Sequence, residues 1–325
     1  MNGLATIGRI LLATDFSPAA KSAEAYAGSI AWSWDARLTA MTVLEFPSGM
    51  NRDYPINQQY LTERMTEASS QLALYKQRMG HRGIDVLTRI ATGIPSEEII
   101  SLAQEEESEL IVMGTSGRTG LAHVLLGSTA ERVIRTAPCP VLAVHTEKAE
   151  YVVEPTAVSL KRILVPVDFS DCSLDALEYA ALVAKHAKAS LELLHVLEPV
   201  VYGLDFTLNN TQACERNRKR LEKRLGDLSG ALAAAGIPST IRICGGTPTD
   251  SILAESLTAA SDLIVMGTHG RRGISHVMSG SVTEAVLRRT HGPVLTVRSP
   301  KFHPDHRRIV PLSSIHVDHA GTGRS

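Results

Sequence analysis

The sequence predicts an α/β protein with two tandem copies of one domain, each an open, doubly wound sheet of five parallel strands. Two observations predict this fold: the chain repeats itself, and strand-like and helix-like segments alternate within each repeat. Residues 10–17 (ILLATDFS) recur as residues 163–170 (ILVPVDFS). Residues 109–118 recur as residues 262–271 with 8 of 10 positions identical. Both pairs are offset by 153 residues, so the two copies align without a net insertion between them.

Composition excludes several classes of function. Lys plus Arg number 33 and Asp plus Glu number 34, so a net charge of −1 gives no electrostatic reason to expect a nucleic-acid partner. Aromatic residues are only 4% of the chain, which leaves few platforms for stacking bases. No apolar run approaches the ~18–20 residues of a membrane span, the start lacks a secretion signal, and the four cysteines form no CxxC pair. We therefore expect a cytoplasmic protein with no membrane or nucleic-acid partner.

The repeats set the predicted domain boundaries. The first repeat is residues 1–146, a polar linker covers 147–160, and the second repeat is residues 161–298. Residues 299–325 are predicted to be a flexible C-terminal tail, because they contain three prolines and little periodicity. The tail carries two His-x2-His pairs, which could bind a metal, but no cysteine or fixed scaffold supports such a site. No metal site is predicted.

Each element of the first repeat has a local signal. Residues 10–13 form a short apolar run typical of a strand buried on both faces. Ser17 is a plausible cap for a helix over 19–32, and Gly80 ends a polar helix over 57–79. A helix opening at Pro95 has two acidic residues in its first turn, where they suit the helix dipole. The remaining predicted elements are strands at 38–44, 86–90, 110–113 and 141–144 and a helix at 128–136. The second repeat gives the same series.

Two features follow strands and can reach a ligand. In a doubly wound sheet, ligands bind beyond the carboxyl ends of the strands, where the strand order reverses. Asp15 follows the first strand and Gly114 follows the fourth, and Asp168 and Gly267 occupy the same places in the second repeat. If the order is 3-2-1-4-5, each aspartate faces its glycine loop across one cleft.

The loop after the fourth strand is rich in spaced glycines. Glycine allows close approach of a ligand to backbone amides, and a helix N-terminus favours an anion. The loop serine could instead cap the helix, so a turn-and-cap role is the alternative to phosphate binding. No lysine follows in the manner of a Walker A loop, which favours holding a nucleotide over cleaving it. The loop residues are Gly114, Gly117, Gly127, Ser128 and Thr129 in the first repeat and Gly267, Gly270, Gly280, Ser281, Val282 and Thr283 in the second.

These residues resemble the universal stress protein superfamily in its tandem form. The motif Gly-x2-Gly-x9-Gly-[Ser/Thr] occurs in both repeats, and the first strand, residues 193–198 (LLHVLE) and residues 137–144 (APCPVLAV) also fit. The resemblance implies a Rossmann-like sheet of order 3-2-1-4-5 and ATP binding. It also implies pairing of domains through the last strand, here largely intramolecular, with a further homodimer as a possible addition.

The resemblance also implies roles for residues. Asp15 and Asp168 would lie at the nucleoside end, and the backbones of Val43 and Val196 would contact the adenine edge. The glycine loops with Ser128 or Ser281 would take the ribose and phosphates, and any Mg2+ or Mn2+ would be carried by the phosphates. The first repeat departs from the second with Thr129 and Ala130 in place of Val282 and Thr283, and with Thr42 in place of His195. These departures put the affinity of the first site in question.

Alternatives stay open at this point. Asp15 and Asp168 could cap the first helix of each repeat, although Ser17 and Ser170 are available caps. Arg118, Arg271 and Arg272 could clamp phosphates or be solvated.

The predicted function is a protein of the stress response that binds ATP and acts through nucleotide-dependent conformation or an unknown protein partner. No residue is assigned a catalytic role. The alternative is a slow ATPase or an autophosphorylating enzyme that uses Ser128, Ser281 or a nearby threonine. A phosphoacceptor receiver domain is not favoured, because neither fifth strand contains a lysine.

Overall fold

The computed structural model describes residues 7–45, 54–115, 126–145, 159–198, 211–268 and 281–298. The C-terminal tail and most of the linker lie outside the described residues. So do Gly117, Gly270, Gly280 and the three arginines considered as phosphate clamps.

The described residues form ten strands and eight helices in the predicted alternation. The first repeat contains β1 Arg9–Ala13, α1 Pro18–Trp34, β2 Arg37–Leu44, α2 Pro55–Gly80, β3 Val86–Thr92, α3 Pro95–Glu105, β4 Leu110–Gly114, α4 Ser128–Thr136 and β5 Val141–Val144. The second contains β6 Arg162–Pro166, α5 Asp171–Ala187, β7 Ser190–Leu197, α6 Thr211–Ala234, β8 Ser239–Gly245, α7 Pro248–Thr258, β9 Leu263–Gly267, α8 Ser281–Arg289 and β10 Val294–Val297.

The strand order 3-2-1-4-5 is confirmed in each repeat. The complete order is β3-β2-β1-β4-β5-β10-β9-β6-β7-β8. The pairing through the last strand that the resemblance implies is also confirmed, because β5 and β10 pair and join the two five-stranded halves into one ten-stranded sheet. This pair is antiparallel, with Leu142 opposite Leu295, whereas the other pairs are parallel. Pairing gives both strands partners for backbone groups that an edge strand would leave open.

Helices cover both faces of the sheet. Helices α1, α2, α5 and α6 pack on one face, where Ile10 and Leu12 of β1 point. Helices α3, α4, α7 and α8 pack on the other, where Leu11 and Ala13 point. This alternation along a strand buried on both sides explains why β1 is a continuous apolar run. Of the helices that the structure describes, none has the length and apolar character needed to cross a bilayer.

Serine caps set the start of α1 and α5. The Ser17 side chain accepts from the Ala20 amide at 3.3 Å, and Ser170 accepts from the Ser173 amide at 3.2 Å. Each helix then ends at a residue in the left-handed conformation, Asp35 or Lys188. The two helices therefore have equal lengths of 17 residues and begin at the carboxyl ends of β1 and β6.

Candidate functional site

The predicted site residues of the first repeat gather at one edge of the sheet. Ala13 of β1 pairs with Met41 of β2 and with Met113 of β4. The next residues in these strands lead directly to Asp15, Val43 and Gly114. Since β1 and β4 are neighbours across the switch point, the structure brings together the aspartate and the first glycine of the loop, as the strand order predicts. In the second repeat β6 pairs with β9 in the same way.

Asp15 and Asp168 organise the turn between strand and helix. Asp15 Oδ1 accepts from the Ser17 amide at 3.0 Å. Asp168 Oδ1 accepts from the Ser170 amide at 2.9 Å and from its hydroxyl at 2.6 Å. Phe16, between Asp15 and Ser17, has a positive φ of 63°, and Phe169, between Asp168 and Ser170, has a positive φ of 62°. The aspartates are half-buried and the serines are the caps, so each carboxylate holds a tight turn beside the cleft.

Gly114 and Gly267 have a packing role that the sequence analysis missed. A Cβ at Gly114 would lie 2.9 Å from backbone atoms of Ala19 and Ala20. A Cβ at Gly267 would lie 2.8 Å from backbone atoms of Cys172. Glycine is needed there because β4 and β9 lie directly against the first turns of α1 and α5. These two glycines therefore do not by themselves indicate a ligand.

The start of α4 lacks a side-chain cap. Gly127 is the N-cap residue, and its amide donates to the Thr115 carbonyl oxygen at 2.8 Å, which ties the helix to the end of β4. Ser128 is the first residue of the helix and is exposed, and it is not the cap residue, so the alternative capping role does not apply to it; Thr129 is half-buried. The amides of the first turn accordingly receive no acceptor from the cap residue, which is the electrostatic arrangement that suits an anion.

The equivalent helix of the second repeat, α8, is held differently. The Thr283 hydroxyl donates to the Gly267 carbonyl oxygen at 2.7 Å and is buried. Ala130 stands at this position in the first repeat and is also buried. Val282 is half-buried, and the Ser281 side chain lies outside the described part of the chain. Thr283 thus links α8 to the end of β9, a task that the Gly127 amide performs for α4.

Val43 and Val196 lie in the second strand of each repeat. Val43 pairs with Ala91 of β3, and Val196 pairs with Cys244 of β8. Both are half-buried and stand one residue before the strand ends. This places their backbones at the same carboxyl edge as the aspartates.

A buried polar network stands behind the first site, and the sequence analysis did not find it. The Thr14 hydroxyl donates to Glu24 Oε1 at 3.0 Å and accepts from the Phe16 amide at 3.1 Å. Arg78 of α2 donates to Glu24 Oε2 at 2.9 Å, and Tyr75 donates to the Glu24 carbonyl oxygen. Burial raises the pKa of Glu24 above its ordinary value, while Thr14 and Arg78 oppose that rise.

Fold and site together define a class: a duplicated, doubly wound α/β protein in which the ends of the first and fourth strands are neighbours at the switch point of each repeat. The model of the universal stress protein family matches residues 6–145 and 159–298, so the chain belongs to the universal stress protein family. A family match on each half agrees with the internal repeat.

Individual relatives show the same pattern. A universal stress protein of Methanocaldococcus jannaschii is 34% identical over 150 residues, which cover 46% of this chain and 88% of the relative. One of Mycobacterium tuberculosis is 28% identical over 234 residues, which cover 69% of this chain and 73% of the relative. The crystal structure of a universal stress protein from Archaeoglobus fulgidus superposes with a TM-score of 0.66 at 25% identity, covering 89% of this chain and 97% of that one.

Proposed function

We propose that this chain binds ATP in the clefts of its two repeats and acts in the cytoplasm as a stress-response protein through nucleotide-dependent conformation or partner binding. The observation that carries the proposal is the start of α4. It presents first-turn amides without a side-chain cap at the carboxyl edge of the sheet, next to the Asp15 turn. Membership of the universal stress protein family supports the same ligand.

The donor set of the first cleft fits a phosphate chain. Backbone amides at a helix N-terminus and the exposed Ser128 hydroxyl can donate to phosphate oxygens without a lysine. Thr129 lies in the same turn. In the second cleft Val282, Thr283 and the amides of α8 take these places, and Gly117, Gly270, Gly280 and Ser281 complete the proposed loops.

The nucleoside end fits the strand-end residues. A carboxylate such as Asp15 or Asp168 is suited to accept hydrogen bonds from ribose hydroxyls. The backbones of Val43 and Val196 can offer hydrogen bonds to the adenine edge from the adjacent strand. ATP would bring any Mg2+ or Mn2+ on its phosphates, and the residues of this chain bind and orient the nucleotide.

The first experiment is nucleotide analysis of the protein as purified, followed by calorimetric titration with ATP. Bound ATP that stays intact during incubation with Mg2+ supports the proposal. Conversion to ADP would favour the slow ATPase instead. No bound nucleotide and no heat of binding would overturn the proposal.

A matched pair of substitutions separates ligand binding from turn formation. Asp168→Ala removes the carboxylate, whereas Ser170→Ala removes the helix cap and the hydroxyl that contacts it. We expect Asp168→Ala to weaken ATP binding by about 1–3 kcal/mol and Ser170→Ala to lower thermal stability with little change in affinity. Equal affinities for the two variants would assign Asp168 to the turn alone. Asp15→Ala and Ser17→Ala test the first cleft in the same way.

A further inference from the structure

A cavity lies on the pseudo-twofold axis between the two repeats, on the face of the sheet that α1 and α5 cover. Its volume is about 70 Å3. Its floor consists of one leucine from each of the four central strands: Leu110, Leu142, Leu263 and Leu295. These leucines are buried beneath it. Helices α1 and α5 pack mainly over β4 and β9, and the cavity lies between the two helices.

Equivalent residues of the two repeats line the floor and walls of the cavity, but the residues at its exposed opening, here called the mouth, differ between the repeats. Leu110 and Leu263 are equivalent positions, as are Leu142 and Leu295, and Ile30 and Val183 are a further pair of equivalent apolar residues on the walls. The mouth instead has Ser33 and Trp34 on one side and His186 and Ala187 on the other. Equivalent positions thus contribute a large aromatic side chain in one half and a methyl group in the other.

The mouth combines a flat aromatic surface with hydrogen-bonding groups. The Trp34 and His186 rings stack with centroids 4.0 Å apart and planes inclined by 25°. His186 Nε2 donates to the Ser33 carbonyl oxygen at 2.8 Å and lies 3.0 Å from the Ser33 hydroxyl. Ser33 and His186 are exposed, so polar groups stand at the entrance and leucines at the bottom. Apolar pockets with a few polar groups at fixed positions are typical of small-molecule sites.

We propose that this cavity binds a neutral, single-ring aromatic molecule with one hydroxyl group, held between the two repeats. Neutrality follows from the walls: none of the described residues that line the cavity is Asp, Glu, Lys or Arg, and the His186 Nε2 is already engaged with Ser33, so a charge among the leucines would lose hydration without a close partner. The size of the occupant follows from the cavity volume of about 70 Å3. One buried water needs about 10–15 Å3, so the cavity holds a few water positions, which correspond to one ring.

The proposed occupant is independent of ATP. The cavity lies beside the C-terminal halves of α1 and α5, where Trp34 and Ala187 are the last residues, whereas the clefts lie where these helices begin. One molecule in the cavity would contact both repeats at once. Failure of ATP to bind the clefts would leave this inference intact.

The test uses the full chain and 4-fluorophenol as the probe, with binding detected from the fluorine NMR line width. The cavity-filling variant is Ala187→Trp, which adds a second indole opposite Trp34, and Val183→Phe narrows the walls from another position. Trp32→Ala is the matched control, because Trp32 is 61% exposed, two residues from Trp34 and not part of the cavity. Circular dichroism verifies the fold of each variant.

We expect the wild type and Trp32→Ala to bind 4-fluorophenol with the same affinity and the filled variant to bind at least tenfold more weakly. 4-Fluorobenzoate, with the same ring and a negative charge, should not bind the wild type. The inference is overturned if the wild type does not broaden the 4-fluorophenol signal, if the folded variants bind as the wild type does, or if the benzoate binds equally well. Should Ala187→Trp not fold, Val183→Phe gives the same comparison.

Discussion

The two repeats share a backbone plan but fill one part of it with opposite chemistry. In the first repeat Thr14, Glu24, Tyr75 and Arg78 form the hydrogen-bonded network between β1, α1 and α2. Offset by 153 residues, the second repeat has Val167, Leu177, Leu228 and Ala231 at these four places. Val167, Leu177 and Leu228 are buried. The same three elements therefore pack with a polar network in one half and with aliphatic side chains in the other.

The second repeat has its own side-chain cluster beside the Asp168 turn. His195 Nδ1 donates to the Val167 carbonyl oxygen at 2.6 Å, and its ring lies 5.4 Å from the Phe169 ring. The Arg224 guanidinium stands 3.7 Å above Phe169. Phe169 is the positive-φ residue next to Asp168, so a cation–π contact supports this turn from α6. In the first repeat the Phe16 amide is instead held by Thr14.

The fold therefore requires neither the polar network of the first repeat nor the aliphatic packing of the second. Replacing both partners of a buried hydrogen bond, such as that of Thr14 with Glu24, by apolar groups of similar shape can be nearly neutral for stability, which is consistent with two versions on one backbone. What the halves share are the aspartate turn, the glycine against the first helix and the serine cap. Their differences lie in the side chains that pack around the aspartate turns, and they predict that the two halves respond differently to mutation and pH.

The largest expected effect on stability comes from introducing the glutamate of the first repeat's network into the second repeat without its arginine partner. Leu177→Glu places a carboxylate at a fully buried position with no arginine partner, and we expect a loss of about 3–5 kcal/mol in the free energy of unfolding. Chemical denaturation measures it. Adding Ala231→Arg should recover part of the loss by supplying the cation that Arg78 supplies in the first repeat. Leu257→Glu, at a position 75% exposed, is the control, and we expect it to lose less than about 0.5 kcal/mol. If Leu177→Glu also lost so little, that result would contradict the comparison.

The next effect should be equal in both halves. Gly114→Ala and Gly267→Ala each place a methyl group within 2.9 Å of helix backbone atoms, so we expect each to lose about 1–3 kcal/mol of stability. Gly226→Ala is the matched control, because no atom lies within 4 Å of its added Cβ. In that helix alanine should be neutral or stabilising. A stable Gly267→Ala with Gly114→Ala destabilised would mean that the halves differ in this packing as well.

The pH response of the Glu24 network should be confined to the first repeat. Burial raises the pKa of Glu24 above 4.5, so the folded state holds this proton more tightly than the unfolded chain does. The resulting stability is fully present below pH 4.5 and is lost as pH rises through the raised pKa. Glu24→Gln should therefore gain stability relative to the wild type across this window, measured as denaturation midpoints against pH. Leu177→Gln, at the equivalent buried position, should show no such pH-dependent gain.

The smallest effect lies at the joint between the repeats. Arg288 of α8 bonds to Glu284 at 2.6 Å and lies 3.8 Å from Glu131 of α4. Because these groups are partly exposed, Arg288→Ala should lose less than about 1 kcal/mol, and the loss should shrink in high salt. Arg135→Ala, the equivalent change in the first repeat, is the comparison. A loss that is insensitive to salt would assign Arg288 to packing rather than to charge.

Local signals explain how much of the fold the sequence predicts. The helix predicted over 19–32 extends over Pro18–Trp34, and the one over 57–79 extends over Pro55–Gly80. Apolar runs, a serine cap and a terminal glycine are all local, so they can be recognised without a structure. The strand order is not a local property: it is a hypothesis that places Asp15 opposite Gly114 and an implication of the family resemblance, and the structure confirms it.

What the sequence could not predict depends on distant contacts. Glu24 and Arg78 are 54 residues apart, and nothing in either segment marks them as partners. The need for glycine at position 114 arises from the approach of Ala19 and Ala20, which only the folded packing reveals. For the same reason the glycine was interpreted only as a loop residue. Pairing of the last strands was expected from the family resemblance, but the antiparallel register of β5 against β10 likewise depends on two short strands that are far apart in the chain.

The antiparallel direction of β5 and β10 has a consequence for any molecule that recognises this protein. Within a repeat all strands point the same way. The antiparallel joint therefore places the carboxyl edge of one half on the same rim of the sheet as the amino edge of the other half. The two proposed nucleotide sites consequently lie on opposite rims of the sheet. A single small partner can reach only one of them at a time, and simultaneous recognition of both requires two partner molecules or one that wraps around the rim.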